Sequence, residues 1–191
     1  MRCVLAACGF ALLAGPAAAE EKMPIELKLV LRKETYDWPY AQGPKEFEAA
    51  LQDLQKRRQQ AKEARFPDPP ALDLALQLTN TGKEKTTVYV EGDANVLTLT
   101  LKGPAVVTVE PGLAFTAELR EPKATVLEPG KGVEIPVKRL ADGFRGASRY
   151  LYPTQPGEYT LSATYQLTTA DGGKGPLLKS GEIGFKLEGK K

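Results

Sequence analysis

The chain has 191 residues, with 26 Lys and Arg against 24 Asp and Glu, two cysteines and no histidine. Its charges are interleaved and nearly balanced, without the basic stripe of a nucleic-acid binder, so nucleic acid is not an expected partner. The missing histidine removes the commonest general base and the commonest metal ligand.

The first nineteen residues read MRCVLAACGFALLAGPAAA. A positive start at Arg2, an apolar run from Val4 to Ala14 and the small residues Ala17-Ala18-Ala19 form a signal-peptide pattern, with cleavage expected after Ala19. Leu5-Ala6-Ala7-Cys8 carries the letters of a lipoprotein box, which would place a lipid anchor on Cys8. Too few apolar residues precede Cys8 for an ordinary signal core, so cleavage after Ala19 is the expectation. That cleavage removes Cys3 and Cys8, leaving a periplasmic or extracellular chain without disulfides. No later stretch is long and apolar enough for a transmembrane helix. Residues 20–191 are then expected to form one domain held by its apolar core.

From Met23 onward, apolar and polar residues alternate with the period of half-buried strands. Ile25, Leu27, Leu29 and Leu31 begin the series. Leu72 to Leu78, Leu97 to Leu101 and Val133 to Val137 continue it, followed by Tyr159 to Leu167 and Ile183 to Leu187. Turn signals such as Asn80-Thr81-Gly82, Gly103-Pro104 and Pro129-Gly130 separate the runs. The expected fold is all-β, an antiparallel sandwich of seven to nine strands.

After the first strand, TYDWPYAQGP places Tyr36, Trp38 and Tyr40 at alternate positions, on one side of an extended chain. Such rings could stack on a sugar or a proline-rich peptide, or could pack against the sandwich edge or a neighbouring helix. A helix is expected over 44–65, opened by Pro44 and closed by Pro67. Its apolar stripe of Phe47, Leu51 and Leu54 fades after Leu54, so the first half should dock and the second be solvated. The run from Glu91 through Gly92 and Asp93 to Asn95 offers oxygens to a cation but lacks calcium-loop spacing, and reads as a turn.

The stretch GFRGASRYLYPTQPGEYTL, residues 143–161, is the richest in the chain. Phe144, Arg145, Arg149 and Tyr150 are residue types that anchor interfaces, and an arginine can clamp a carboxylate through two hydrogen bonds. The competing reading is a sheet crossover whose arginines pair with the protein's own acids. In PGEYTL, Tyr159 follows Pro156-Gly157 as the tyrosine of an immunoglobulin-type corner does, its hydroxyl bonding back to the turn backbone.

With LALQLTNTG and VEIPVKRL, this motif resembles secreted bacterial Ig-like and fibronectin-III-like domains, BsuPI-type proteinase-inhibitor sandwiches among them. The resemblance covers residues 71–187. It implies an Ig-like fold and a non-catalytic binding or structural role, while Gln155 and Leu161 stand where the antibody pattern has an acid and a cysteine. Ser148, Ser162 and Ser180 lie in no GxSxG elbow, and no enzymatic activity or cofactor is expected. The expected function is an exported binding or accessory module for a protein or glycan partner. A structural cell-envelope domain and an inhibitor-like sandwich are the alternatives.

Overall fold

The computed structural model describes residues 23–60, 62–111, 119–144 and 147–189, with Phe144 and Ala147 described by their backbone alone. The signal-peptide segment and Cys8 lie outside the described residues.

The elements are β1 (Ile25–Leu31), β2 (Thr35–Asp37), α1 (Pro44–Gln59), β3 (Leu74–Asn80), β4 (Thr86–Val90), β5 (Leu97–Lys102) and β6 (Val106–Val109). They continue with β7 (Lys123–Leu127), β8 (Gly132–Val137), β9 (Ala141–Phe144), β10 (Ala147–Pro153), β11 (Gly157–Thr168), β12 (Lys174–Lys179) and β13 (Ile183–Glu188). The fold is a β-rich sandwich with one helix. Among the described residues thirteen strand segments stand where seven to nine strands were expected, because the sequence period registers the long strands and passes over short ones such as β2, β6 and β9.

The smaller sheet runs β1-β3-β8, antiparallel throughout. The larger runs β2-β13-β11-β5-β9-β10-β6, antiparallel except where β2 lies parallel to β13. Twelve residues make β11 long enough to serve two neighbours on one side, β13 and then β12, and two on the other, β5 and then β4. Leu27, Leu76 and Leu78 from the smaller sheet and Leu99, Leu161 and Tyr165 from the larger meet in the main core.

Two polar devices fix the ends of this sandwich. Asn80 is fully buried at the end of β3; its amide donates to the carbonyls of Glu84 and Leu127 and accepts from the Gly82 N–H. The NTG turn is thereby tied to the end of β7 in the opposite sheet. At the other end, the Tyr159 hydroxyl reaches the carbonyls of Gln155 (2.6 Å) and Ala105 (3.2 Å), the backward bond its motif predicts. The ring lies across Gly103, where an added Cβ would stand 2.1 Å from a ring carbon. Glycine is needed there for close approach.

The helix stops at Gln59, short of the expected end at 65 by nearly two turns. Helix-forming composition persists to Arg65, but the chain reverses: the Lys62 N–H bonds to the Arg57 carbonyl, and Phe66 is buried against the first half of α1. Tertiary packing overrides propensity here. The stripe behaves as expected, with Phe47 and Leu51 buried, Leu54 half-buried and the second half exposed. Burying two such side chains supplies about 4 kcal/mol, enough to hold a helix that would be marginal alone.

Removing the Tyr159 hydroxyl tests the corner. Tyr159→Phe should cost about 1–2 kcal/mol, because two turn carbonyls lose their donor, and should lower the melting temperature by roughly 3–6 °C. An unchanged melting temperature would mean that the corner does not depend on these bonds.

Candidate functional site

The sequence-predicted site residues fall into two groups. Tyr36 packs edge-on against Phe185 beside the main core, its hydroxyl accepting the Asp73 N–H, with the Lys33 ammonium 5.3 Å from its ring centre. Trp38 and Tyr40 instead enter a second core with Phe47, Leu51, Phe66, Val109 and Tyr152. Tyr40 stacks on Phe47 at 3.6 Å, Trp38 meets both rings edge-on, and the Trp38 indole N–H donates to the Gln42 carbonyl. The exposed platform of Tyr36, Trp38 and Tyr40 is therefore corrected. Trp38 and Tyr40 are 5% and 8% exposed, leaving no ring face for a sugar, because α1 folds down over them.

Around β9 and β10 the arginines divide. Arg145 lies outside the described residues, as does the Phe144 side chain. Arg149 forks onto Asp142, Nε to Oδ1 at 2.9 Å and Nη2 to Oδ2 at 2.6 Å, while Nη2 also donates to the Leu99 carbonyl at 2.8 Å. Asp142 in turn accepts the Leu99 N–H. The backbone pairing of β5 with β9 is a single residue pair, Leu97 with Gly143, and at Leu99 the two side chains replace the missing ladder bonds. The carboxylate clamped by Arg149 is thus the protein's own, as in the competing reading of this stretch. Its pKa is raised, first by the hydrogen bonds to Asp142, against a smaller desolvation effect. Tyr150 is half-buried, edge-on to Tyr152 at 6.3 Å on the helix-facing side of β10.

The turn after β4 uses its oxygens internally. Asn95 accepts the Gly92 N–H and donates to the carbonyls of Tyr89 and Gln166, and Asp93 pairs with Arg120. Among the described residues no group of three or more acidic, histidine or cysteine side chains is arranged to hold a metal ion, and no helix is long and apolar enough to cross a membrane.

Among the described residues, the aromatic cluster borders a cleft that opens to the outside. A cleft of about 290 Å3 lies between α1 and the returning segment 65–67. Tyr40, Phe47, Leu51, Leu54 and Phe66 make it largely apolar, and Arg65 and Gln42 bring polar groups to its lining. The Tyr40 hydroxyl is buried without a hydrogen-bond partner, whereas the Tyr152 hydroxyl donates to the Pro67 carbonyl. Burial is the largest cause raising the pKa of both phenols; Tyr152 adds to the rise at Tyr40, and Tyr150 and Asp68 add to the rise at Tyr152.

Two larger clefts, about 580 Å3 each, lie elsewhere among the described residues. One follows the seam between β1 and β12, and the other lies over β5, β11 and β13, where Lys102 is paired with Glu182 and Lys186 with Glu188.

Sequence reading identified the aromatic residues but not the segment 65–67 that closes the cleft over them. The available signal was Phe66 between Arg65 and Pro67: an aromatic that a solvated helix end had no reason to carry. No protein-family model matches the chain, and none of the curated proteins compared with it matches in sequence.

Two measurements test this geometry. Arg149→Ala leaves the Asp142 carboxylate, 2% exposed, without its cation. It should cost about 2–3 kcal/mol, at the low end for a broken buried pair because Arg149 keeps some contact with water. The melting temperature should fall by roughly 5–10 °C, and Arg149→Lys should restore only part of it, since an ammonium cannot fork. An unchanged melting temperature for Arg149→Ala would show that the pair is not structural.

The second measurement is an alkaline titration. Tyr36, Tyr40, Tyr152, Tyr159 and Tyr165 all have raised pKa values, burial being the largest cause in each. The unfolded chain loses these protons near pH 10, before the folded one does, so stability is full below that pH and falls as pH rises above it. Tyrosinate absorbance from these residues should appear together with unfolding. Titration of these five tyrosines near pH 10 with the fold intact would contradict the burial.

Proposed function

We propose that this chain is an exported, non-catalytic binding module that recognises a protein partner at the end of the sandwich covered by α1. The observation that carries the reading is the apolar cleft between α1 and residues 65–67, lined in part by side chains of the packed aromatic core. A preorganised recess avoids much of the ordering cost that binding otherwise incurs. The Tyr159 corner and two facing sheets support an Ig-like architecture, a frame that commonly presents binding sites at its ends. Export rests on the signal-peptide pattern of residues 1–19.

A protein partner fits better than a glycan because the aromatic faces that would stack on sugar are already covered. The second reading is a structural cell-envelope domain. It draws on Arg149, Trp38 and Tyr40, whose observed contacts are all internal. The inhibitor-like alternative has no comparable support among the described residues.

Affinity capture on the immobilised mature chain separates the two readings. A binding module should retain a protein from envelope extracts in stoichiometric amount, unaffected by prior glycosidase treatment. Retention of nothing would favour the structural domain, and retention lost on glycosidase treatment would favour a glycan ligand.

A further inference from the structure

The described arginines divide by place. Arg32, Arg120, Arg139 and Arg149 each pair with a carboxylate. Arg57, Arg58 and Arg65 pair with none, and all three belong to the second half of α1 or the segment returning from it. Lys56 and Lys62 join them, so residues 55–65 carry five cations against one carboxylate, Glu63. All five are exposed. In a chain with a formal net charge of only +2, this is a concentrated, uncompensated positive patch.

Part of the patch has a structural use. Lys56, Arg57 and Arg58 occupy the last helical turn, where cations are favourable against the helix dipole, and Arg57 donates to the Glu63 carbonyl. That accounts for Lys56, Arg57 and Arg58 but not for Lys62 and Arg65, which lie beyond the helix. Arg65 lines the apolar cleft itself. Cations around an apolar recess define a complementary ligand: negative charges flanking one apolar group.

We infer that the α1 cleft receives an acidic, extended segment of a partner protein, with one aromatic or large aliphatic side chain in the recess and flanking carboxylates on Arg65, Lys62 and the end of α1. This rests on the binding-module reading and specifies its partner. The recess, about 290 Å3, has room for a single anchor residue with a little to spare, and such anchors carry most of the energy of peptide recognition. Arginine can fork onto each carboxylate, and the patch would speed encounter through long-range attraction. An anionic lipid surface fits less well. The apolar side chains here line a concave cleft rather than projecting as a continuous stripe, and a bilayer takes up a projecting stripe.

The test uses the mature chain and a fluorescently labelled peptide with one phenylalanine between two pairs of glutamates. Its controls replace the phenylalanine by glycine, or the glutamates by lysine. Anisotropy should show binding of the first peptide alone, weakened at least tenfold when salt rises from about 0.05 to about 0.5 M. Arg65→Glu should weaken it at least tenfold. Ala50→Trp, which fills the recess from an exposed position and so spares the fold, should do the same.

Absence of binding, equal binding of the glycine control, or binding untouched by both variants would overturn the inference. So would preferential binding to phosphatidylglycerol vesicles that Ala50→Trp leaves intact, since that would make the patch a membrane contact. A partner captured from envelope extracts equally well by wild type and both variants would leave the module reading standing and remove this site from it.

Discussion

The last three residues of strand β10, 151–153, are buried on both faces, and much of the architecture around the cleft depends on that. Leu151 points into the main core between the sheets, while Tyr152, fully buried, points the other way into the aromatic cluster. One strand is thus a shared wall between two cores. A sandwich strand normally has a wet outer face, and β10 has α1 over its outer face instead. Tyr152 has no exposed surface because Phe47 and Tyr40 pack against it, and its hydroxyl holds the returning segment through the Pro67 carbonyl. The helix is therefore an extension of the packed interior rather than a loose appendage.

The same arrangement deals with an edge. Strand β6 ends the larger sheet, and an unprotected edge invites pairing with another chain. Gln55 of α1 donates to the Thr108 carbonyl of β6, and Val109 is buried in the aromatic cluster. Two further edges carry prolines, Pro136 in β8 and Pro176 in β12, which remove backbone donors from those strands. On another side of α1, where the returning segment 65–67 packs beside it, lies the cleft.

What could be read from the sequence follows from how each strand is buried. Strands β1, β3, β5, β8, β11 and β13 alternate because one face is wet, and each lies within two residues of its expected position. Strand β10 shows no such alternation over Leu151, Tyr152 and Pro153, since both faces are dry. The binding-loop reading of this region rested instead on residue type, Phe144, Arg145, Arg149 and Tyr150 being of the kinds that anchor interfaces. Arg149 was ambiguous for a related cause: the carboxylate it needs, Asp142, becomes its neighbour only through the β9–β10 register. The Tyr159 corner was legible because its bonds are made to nearby turns. The cleft was not, because it requires the helix to stop at Gln59 and Phe66 to return, and helix propensity over 60–65 argues for neither.

The central claim is that the first half of α1 is part of the interior, and residue-resolved hydrogen exchange tests it most directly. Amides of residues 48–54 should exchange no faster than those of β10, opening only when the shared wall opens, while amides at the far end of the helix exchange much sooner. Uniform fast exchange along the whole helix, with the sheets still protected, would contradict the account: α1 would then be an undocked insertion and the cleft beneath it would not be preformed.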